Sequence, residues 1–366
     1  MSLPAASLGN RLGPVDTIII ALGIMITGCL LVRFSLGFGI YPLILSALFV
    51  LAIGITTLQV SANPLAASLG PARGSHFRLN LAQAFNSLGV VLGVNYGAWV
   101  MLGDTAIVTN HGLITDAAQR SDALEAIDRA FTHMAALLAL LALFILVQRR
   151  RIKSAVSEII PETKAPVFDA LKSRWAVSGA VAIGLYVGAE VSIGSIMINF
   201  LHQPSVLNLP LEEGGRYLAD FYWGGALVGR IVGSILLTRI AAPRLLKACA
   251  IMAASLCTLV LLGDGAVSGY AALSVGLFNS IMFPTIFTIS LERSQATQSS
   301  TSGLLCLAIV GGAVLPLMVG LLADTVSLTA AFAIIALAYT VIVVFASKAA
   351  STPPIVAADA PPVPLT

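Results

Sequence analysis

Residues 176–202 read AVSGAVAIGLYVGAEVSIGSIMINFLH, an apolar run whose one carboxylate is Glu190. A helix needs about 20 mostly apolar residues to cross a bilayer, and this stretch has the length. Nine further runs of the same kind lie at 17–35, 41–68, 79–103, 130–148, 215–239, 245–263, 267–291, 301–323 and 328–347, so ten transmembrane helices are expected. The whole chain agrees with its parts. Of 366 residues, 58% are hydrophobic and 10% charged, and mean hydropathy is +0.95. Soluble domains carry about 25% charged residues. A soluble core could not hide this much apolar surface, which excludes an ordinary soluble enzyme, a disordered chain and a nucleic-acid binder. Cys29, Cys249, Cys257 and Cys306 all fall inside apolar runs and share no metal-ligand spacing. They read as small apolar filler.

Lys and Arg set the orientation, because cytoplasmic loops hold an excess of them. Segment 149–175 opens with Arg149, Arg150, Arg151 and Lys153 and is placed in the cytoplasm. Alternating sides from there leaves the outer loops only Arg33, Arg120, Arg129 and Arg216, with Arg230 inside a run. Both termini are then cytoplasmic. Segment 104–129 is expected outside, as a loop followed by a short amphipathic helix at 121–129.

The chain carries a weak duplication across the basic segment. LILSALF after Tyr41 resembles AALSVGLF after Tyr270. Gly89 and Gly97 match Gly312 and Gly320, and the surroundings of Arg11 and Met25 match those of Arg239 and Met252. The copies keep the same order and a similar offset, a pattern typical of transporters built from two repeated halves. The expected domains are an N-terminal bundle of four spans (1–148), a central cytoplasmic loop (149–175), a six-span bundle (176–347) and a disordered cytoplasmic tail (348–366). In this mapping the mates of residues 176–230 would lie before Met1. The repeat thus predicts about 50 preceding residues.

No Walker loop, GxGxxG, GxSxG or HExxH occurs. His76, His111, His133 and His202 are scattered, so neither catalysis, a metal nor a cofactor is expected. The polar residues inside the spans are more informative. LQVSANP places Gln59 and Asn63 one turn apart, and in RLNLAQAFNSLG the side chains of Asn80, Gln83 and Asn86 share one helical face. Amides in lipid must face protein or a water-filled cavity. They could glue helices together, or they could bind a hydroxyl-rich ligand, since an amide offers both donor and acceptor.

Two ladders of glycines at four-residue spacing, Gly89–Gly93–Gly97 and Gly225–Gly229–Gly233, read as sites of close helix packing. Glu190 and Arg230 lie at comparable depths. They read as a structural ion pair or as a substrate or coupling site. Tyr186 and other aromatics at this depth could stack on a sugar ring or simply pack.

LQVSANP, HFRLNLAQAFNSLG, LYVGAEVSIGS, FYWGGALVGR, GLFNSIMFPTIF and GLLCLAIVGGAVLPLMVG resemble the glucose/galactose transporters. These belong to the fucose–galactose–glucose:proton symporter branch of the major facilitator superfamily, to which the L-fucose permeases are related. The resemblance covers nearly the whole chain. It implies twelve helices in two bundles, a sugar cavity and alternating access. It places Gln83 and Asn86 on amide positions that line the sugar cavity, and Gln59 where the fucose permeases carry a coupling glutamate and the hexose branch carries glutamine.

The expected protein is an all-α, multi-pass transporter of the bacterial inner membrane that imports a hexose with a proton or sodium ion. Its partners are a sugar, the coupled ion and the bilayer, with no nucleic acid, and it is monomeric. Another small polar solute, or a non-transporting fragment, are the alternatives. The substrate-binding candidates are Gln59, Asn63, Asn80, Gln83, Asn86, Tyr186, Glu190 and Asn279, with Glu190 and Arg230 as coupling or ion-pair residues.

Overall fold

The computed structural model describes residues 1–71, 74–102, 117–157 and 167–355, and every regular element among them is helical. The helices are α1 (Ser2–Leu12), α2 (Pro14–Leu36), α3 (Tyr41–Ser68), α4 (Ser75–Leu102), α5 (Ala117–Ser157), α6 (Arg174–His202), α7 (Leu211–Tyr217), α8 (Gly224–Leu236), α9 (Ala242–Leu262), α10 (Gly265–Asn279), α11 (Met282–Arg293), α12 (Gln298–Leu307), α13 (Gly311–Thr325) and α14 (Leu328–Ser351). They form two compact units. Met1–Leu65 and Asn86–Lys164 make the first, and Ala66–Phe85 and Ala165–Thr366 the second.

In the first unit α2 and α5 run antiparallel. Between them lies an apolar layer of Val15, Ile18 and Leu22 from α2 and Leu65 from α3, with Leu138, Ala142 and Ile145 of α5 against it. Ion pairs pin both ends. Asp16 accepts Arg149 Nε and Nη2, each at 2.8 Å, and Lys153 Nζ at 2.6 Å. At the other end Arg33 meets Asp128 at 3.0 Å. The bidentate arginine fixes direction as well as distance.

The second unit is built around α6, which packs on α10, α11, α12, α13 and α14. Small residues let α6 and α13 touch backbone to backbone: a methyl added to Gly311 would run into the Gly184 carbonyl. Two of its spans are broken in mid-course. α10 and α11 make one apolar stretch, Gly265–Arg293, interrupted after Asn279. α12 and α13 make another, Gln298–Thr325, interrupted by a 3-10 turn at Ala308–Val310.

Several expectations need correction. Eight helices or helix pairs among the described residues are long and apolar enough to cross a membrane, not ten. The run at 215–239 is cut into α7, a π-helical turn at Leu218–Trp223 and α8, none of them long enough alone. The run at 79–103 lies in the unbroken helix α4, but it is not among the eight, and its side chains at 90, 91 and 94–102 lie outside those described. The amphipathic stretch 121–129 is no separate helix but continues unbroken into the span as part of α5; residues 103–116 lie outside the described residues. Lys348–Ser351, expected to open a disordered tail, complete α14, because Arg293 donates to Ala349 O at 3.1 Å and Thr352 O at 3.2 Å. Residues 158–166 and 356–366 are likewise outside those described.

The two glycine ladders also part ways. A methyl at Gly229 would meet the Leu277 carbonyl and Ser280 Oγ, and one at Gly233 would meet Ile281, so this ladder seats α8 on α10. A methyl at Gly89 or Gly93 would meet nothing within 4 Å among the described residues, so no close approach is found there among them, and the Gly97 side-chain position is outside those described. Gly229→Ala should therefore lower the thermal stability of the detergent-purified protein, by about 1–3 kcal/mol for an overpacked contact. Gly89→Ala should change it by less than about 0.5 kcal/mol, as an unpacked position allows. Equal melting temperatures for the two variants would contradict this assignment.

Candidate functional site

Pro284 shapes the centre of the second unit. A proline inside a helix clashes with the carbonyl four residues earlier and cannot donate to it. Here that carbonyl belongs to Ser280, in the break between α10 and α11. The freed oxygen accepts Arg230 Nε at 3.1 Å. The same guanidinium donates from Nη1 to the Gln83 carbonyl at 3.4 Å and turns Nη2 toward Glu190 Oε1 at 3.8 Å. Both side chains of the ion pair are only 14% exposed. Burying an arginine is costly unless acceptors surround it. This one faces two main-chain carbonyls and one carboxylate, each from a different part of the unit.

Glu190 is held from behind. In the π-helical turn Leu218–Trp223 the extra residue turns Tyr222 inward, and its hydroxyl donates to the Glu190 carbonyl at 3.2 Å. Such π turns often occur at functional sites. The turn fits because residue 276 is glycine: a methyl there would collide with the Tyr222 carbonyl. Asn279, the last residue of α10, donates from Nδ2 to Tyr222 Oη at 3.0 Å and to Tyr339 Oη at 3.2 Å. Tyr186 sits one turn before Glu190 and is fully buried, as are Tyr222 and Tyr339.

Three buried polar atoms of this cluster lack a hydrogen-bond partner in normal geometry: Tyr186 Oη, Glu190 Oε1 and Asn279 Oδ1. Buried polar groups are nearly always satisfied, by protein, water or ligand. The set contains two acceptors and a hydroxyl that can donate or accept, which suits a neutral molecule bearing several hydroxyls.

A second polar cluster involves the start of α4 and α11. His76 Nε2 lies 3.2 Å from Glu292 Oε2, and His76 Nδ1 bonds Thr288 Oγ1. Ser75 Oγ donates to Glu292 Oε1 at 2.5 Å. Arg293 is 4% exposed, lies 3.6 Å from Glu292 and stacks 5.6 Å above the Trp175 ring. Asn80 belongs here: its Nδ2 donates to the His76 carbonyl at 2.9 Å and to Thr285 Oγ1 at 3.3 Å.

Of the residues singled out in the sequence, the fold therefore groups Tyr186, Glu190, Arg230 and Asn279, with the main chain of Gln83 beside them. Asn80 sits with His76 and Thr285 instead. Gln59, Asn63 and Asn86 belong to the first unit, where Asn63 is buried and Gln59 and Asn86 are accessible. Sequence reading missed Tyr339, Ser75, Thr288 and Glu292. Their partners lie 60 to 217 positions away, and no local pattern marks them. Among the described residues no three His, Cys, Asp or Glu side chains converge as metal ligands do.

A family model described as Major Facilitator Superfamily matches residues 1–309. A glucose/galactose transporter of Brucella abortus (strain 2308) is 37% identical over 332 residues, covering 91% of this chain and 77% of that protein. The L-fucose-proton symporter of Escherichia coli (strain K12) is 29% identical over 323 residues, covering 84% of this chain and 72% of that protein. A crystal structure of the Escherichia coli fucose:proton symporter superposes with a TM-score of 0.82 at 25% identity, covering 95% of this chain and 87% of that one.

Removing Glu292 leaves the buried Arg293 without its carboxylate. Glu292→Ala should destabilise the purified protein by about 1.5–3 kcal/mol for lost bonds to a charged group, read as a lower melting temperature. Ser75→Ala should cost less, because Glu292 then keeps His76 and Arg293. An unchanged melting temperature for Glu292→Ala would mean that the cluster holds nothing together.

Proposed function

The chain belongs to the Major Facilitator Superfamily, and from that premise we propose that it is a secondary active transporter that imports a hexose across the bacterial cytoplasmic membrane by alternating access. The observation that carries this reading is the buried Glu190–Arg230 pair, 3.8 Å apart, beside the unpartnered oxygens of Tyr186 and Asn279. A sugar offers hydroxyls to such oxygens and needs no opposite charge. Similarity to a glucose/galactose transporter supports a hexose, and similarity to a proton symporter supports a proton as the coupled ion, with sodium as the other candidate.

The proposed division of labour follows from the side chains. The amides Gln59, Asn63, Gln83 and Asn86 give the first half of the chain its capacity to bind hydroxyls, with Gln83 and Asn86 as the foremost sugar ligands. Gln59 carries no titratable group, so proton exchange falls to a carboxylate elsewhere. Glu190 is the candidate: it is nearly buried, and its only cationic neighbour among the described side chains is Arg230 at 3.8 Å, beyond hydrogen-bond distance. A proton arriving on Glu190 would release Arg230, and a proton leaving would re-form the pair. The central basic segment and both termini lie in the cytoplasm in this reading, and the two repeated halves are the moving bodies.

Gln83→Ala and Asn86→Ala should each weaken sugar uptake at normal membrane abundance. A lost hydrogen bond to a hydroxyl costs about 1–3 kcal/mol, roughly 5- to 150-fold in affinity. Radiolabelled uptake with unchanged kinetics in both variants would assign these amides to packing. Glu190→Gln should abolish uphill accumulation while sugar counterflow, which needs no net proton movement, is retained. Normal accumulation by Glu190→Gln would remove the carboxylate from the coupling step.

A further inference from the structure

Asn279 is not well placed to be a sugar ligand through its amide nitrogen. Nδ2 is already committed to two phenol oxygens, Tyr222 at 3.0 Å and Tyr339 at 3.2 Å, and the residue is completely buried. Tyr222 in turn uses its hydroxyl hydrogen on the Glu190 carbonyl. This makes a chain of contacts in one direction: α14 through Tyr339, α10 through Asn279, the π turn through Tyr222, and α6 at Glu190.

The helix that carries Asn279 grips Tyr222 twice. Gly276, one turn earlier on α10, leaves room for the Tyr222 main-chain carbonyl, and Asn279 takes the hydroxyl. The ring between these two points cannot swing without breaking one of them. α10 also ends at Asn279, and the next residue, Ser280, gives its carbonyl to Arg230. The two partners of the ion pair are therefore set from adjacent residues of one helix end. Asn279 sets the Glu190 side through Tyr222, and Ser280 sets the Arg230 side directly.

We propose that Tyr222, Tyr339 and the amide nitrogen of Asn279 are positioning groups that hold Glu190 at its 3.8 Å separation from Arg230 and do not contact the sugar. A closer approach would lock the pair as a permanent salt bridge, and a wider one would leave two lone buried charges. The groups facing Glu190 are Arg230 on α8, Tyr222 in the π turn, and Tyr186 on α6 itself; Tyr339 on α14 and Cys257 on α9 face Tyr222 from behind. Of these, Tyr222 is the one that bonds the Glu190 main chain. The inference rests on the reading of Glu190 as the coupling carboxylate.

The test uses Tyr222→Phe, which deletes one hydroxyl and keeps the ring, with Tyr339→Phe beside it, in the full chain reconstituted in proteoliposomes at equal abundance. The expected result is that Tyr222→Phe lowers uphill sugar accumulation about fivefold, the worth of roughly one hydrogen bond, while counterflow exchange stays within about twofold. Tyr339→Phe should give a smaller version of the same split. A purely structural role would lower accumulation and exchange together, and that result overturns the proposal. So does unchanged accumulation in Tyr222→Phe. Glu190→Gln run in parallel separates the two levels. If it loses accumulation while Tyr222→Phe keeps it, only the positioning role fails. If Glu190→Gln accumulates sugar normally, the coupling reading fails and takes this inference with it.

Discussion

The buried guanidinium of Arg230 is the constraint around which the second unit is arranged. A charge at this depth needs acceptors fixed in place, since water does not supply them freely. Regular helix interiors have no carbonyls to spare, because each is used four residues along. The fold solves this by irregularity. Pro284 strips Ser280 of its helical donor, and the orphaned carbonyl becomes an acceptor for Nε. Gln83 O supplies a second acceptor and Glu190 the counter-charge. Proline, the break in the span and the arginine therefore form one device.

Other departures from regular helix serve the same centre. The π-helical turn at Leu218–Trp223 costs backbone regularity but delivers the Tyr222 hydroxyl to the Glu190 carbonyl. Gly276 and Gly229 are where α10 must come within backbone contact of that turn and of α8. Gly184 and Gly311 play the equivalent part between α6 and α13. Close approach through small residues substitutes for the hydrophobic effect, which gives helices in lipid no net drive to associate. The first unit shows another solution. There a bidentate Asp16–Arg149 pair with Lys153, and Arg33 with Asp128, clamp α2 to α5 at the two ends of an apolar layer.

Much of this arrangement is legible in the amino-acid sequence. Apolar run length locates the helices, and the depth of Glu190 and Arg230 within their runs brings them together as candidates. Spacing alone misleads where it carries no information about the neighbour. Gly89–Gly93 and Gly229–Gly233 have the same four-residue period, yet among the described residues only the second pair has a helix against it. Asn80, Gln83 and Asn86 share an ideal helical face, but Asn80 is tied to Thr285 while Gln83 turns its carbonyl to Arg230. The apolar run at 215–239 has the length of one straight span, but the chain forms two helices and a π turn there.

Composition and periodicity determined that this chain is a helical membrane protein, where its apolar runs lie and which polar residues had to be hidden, because lipid penalises every unsatisfied polar group wherever it sits. Only the tertiary structure decided how those polar residues are satisfied. The His76–Glu292 contact joins positions more than 200 residues apart, and Asn279 reaches Tyr222 and Tyr339 on two different elements. Such pairings depend on which faces meet and on how closely backbones can approach at glycine contacts. A one-dimensional pattern fixes the face of a helix, but what lies opposite that face is a property of the packed whole.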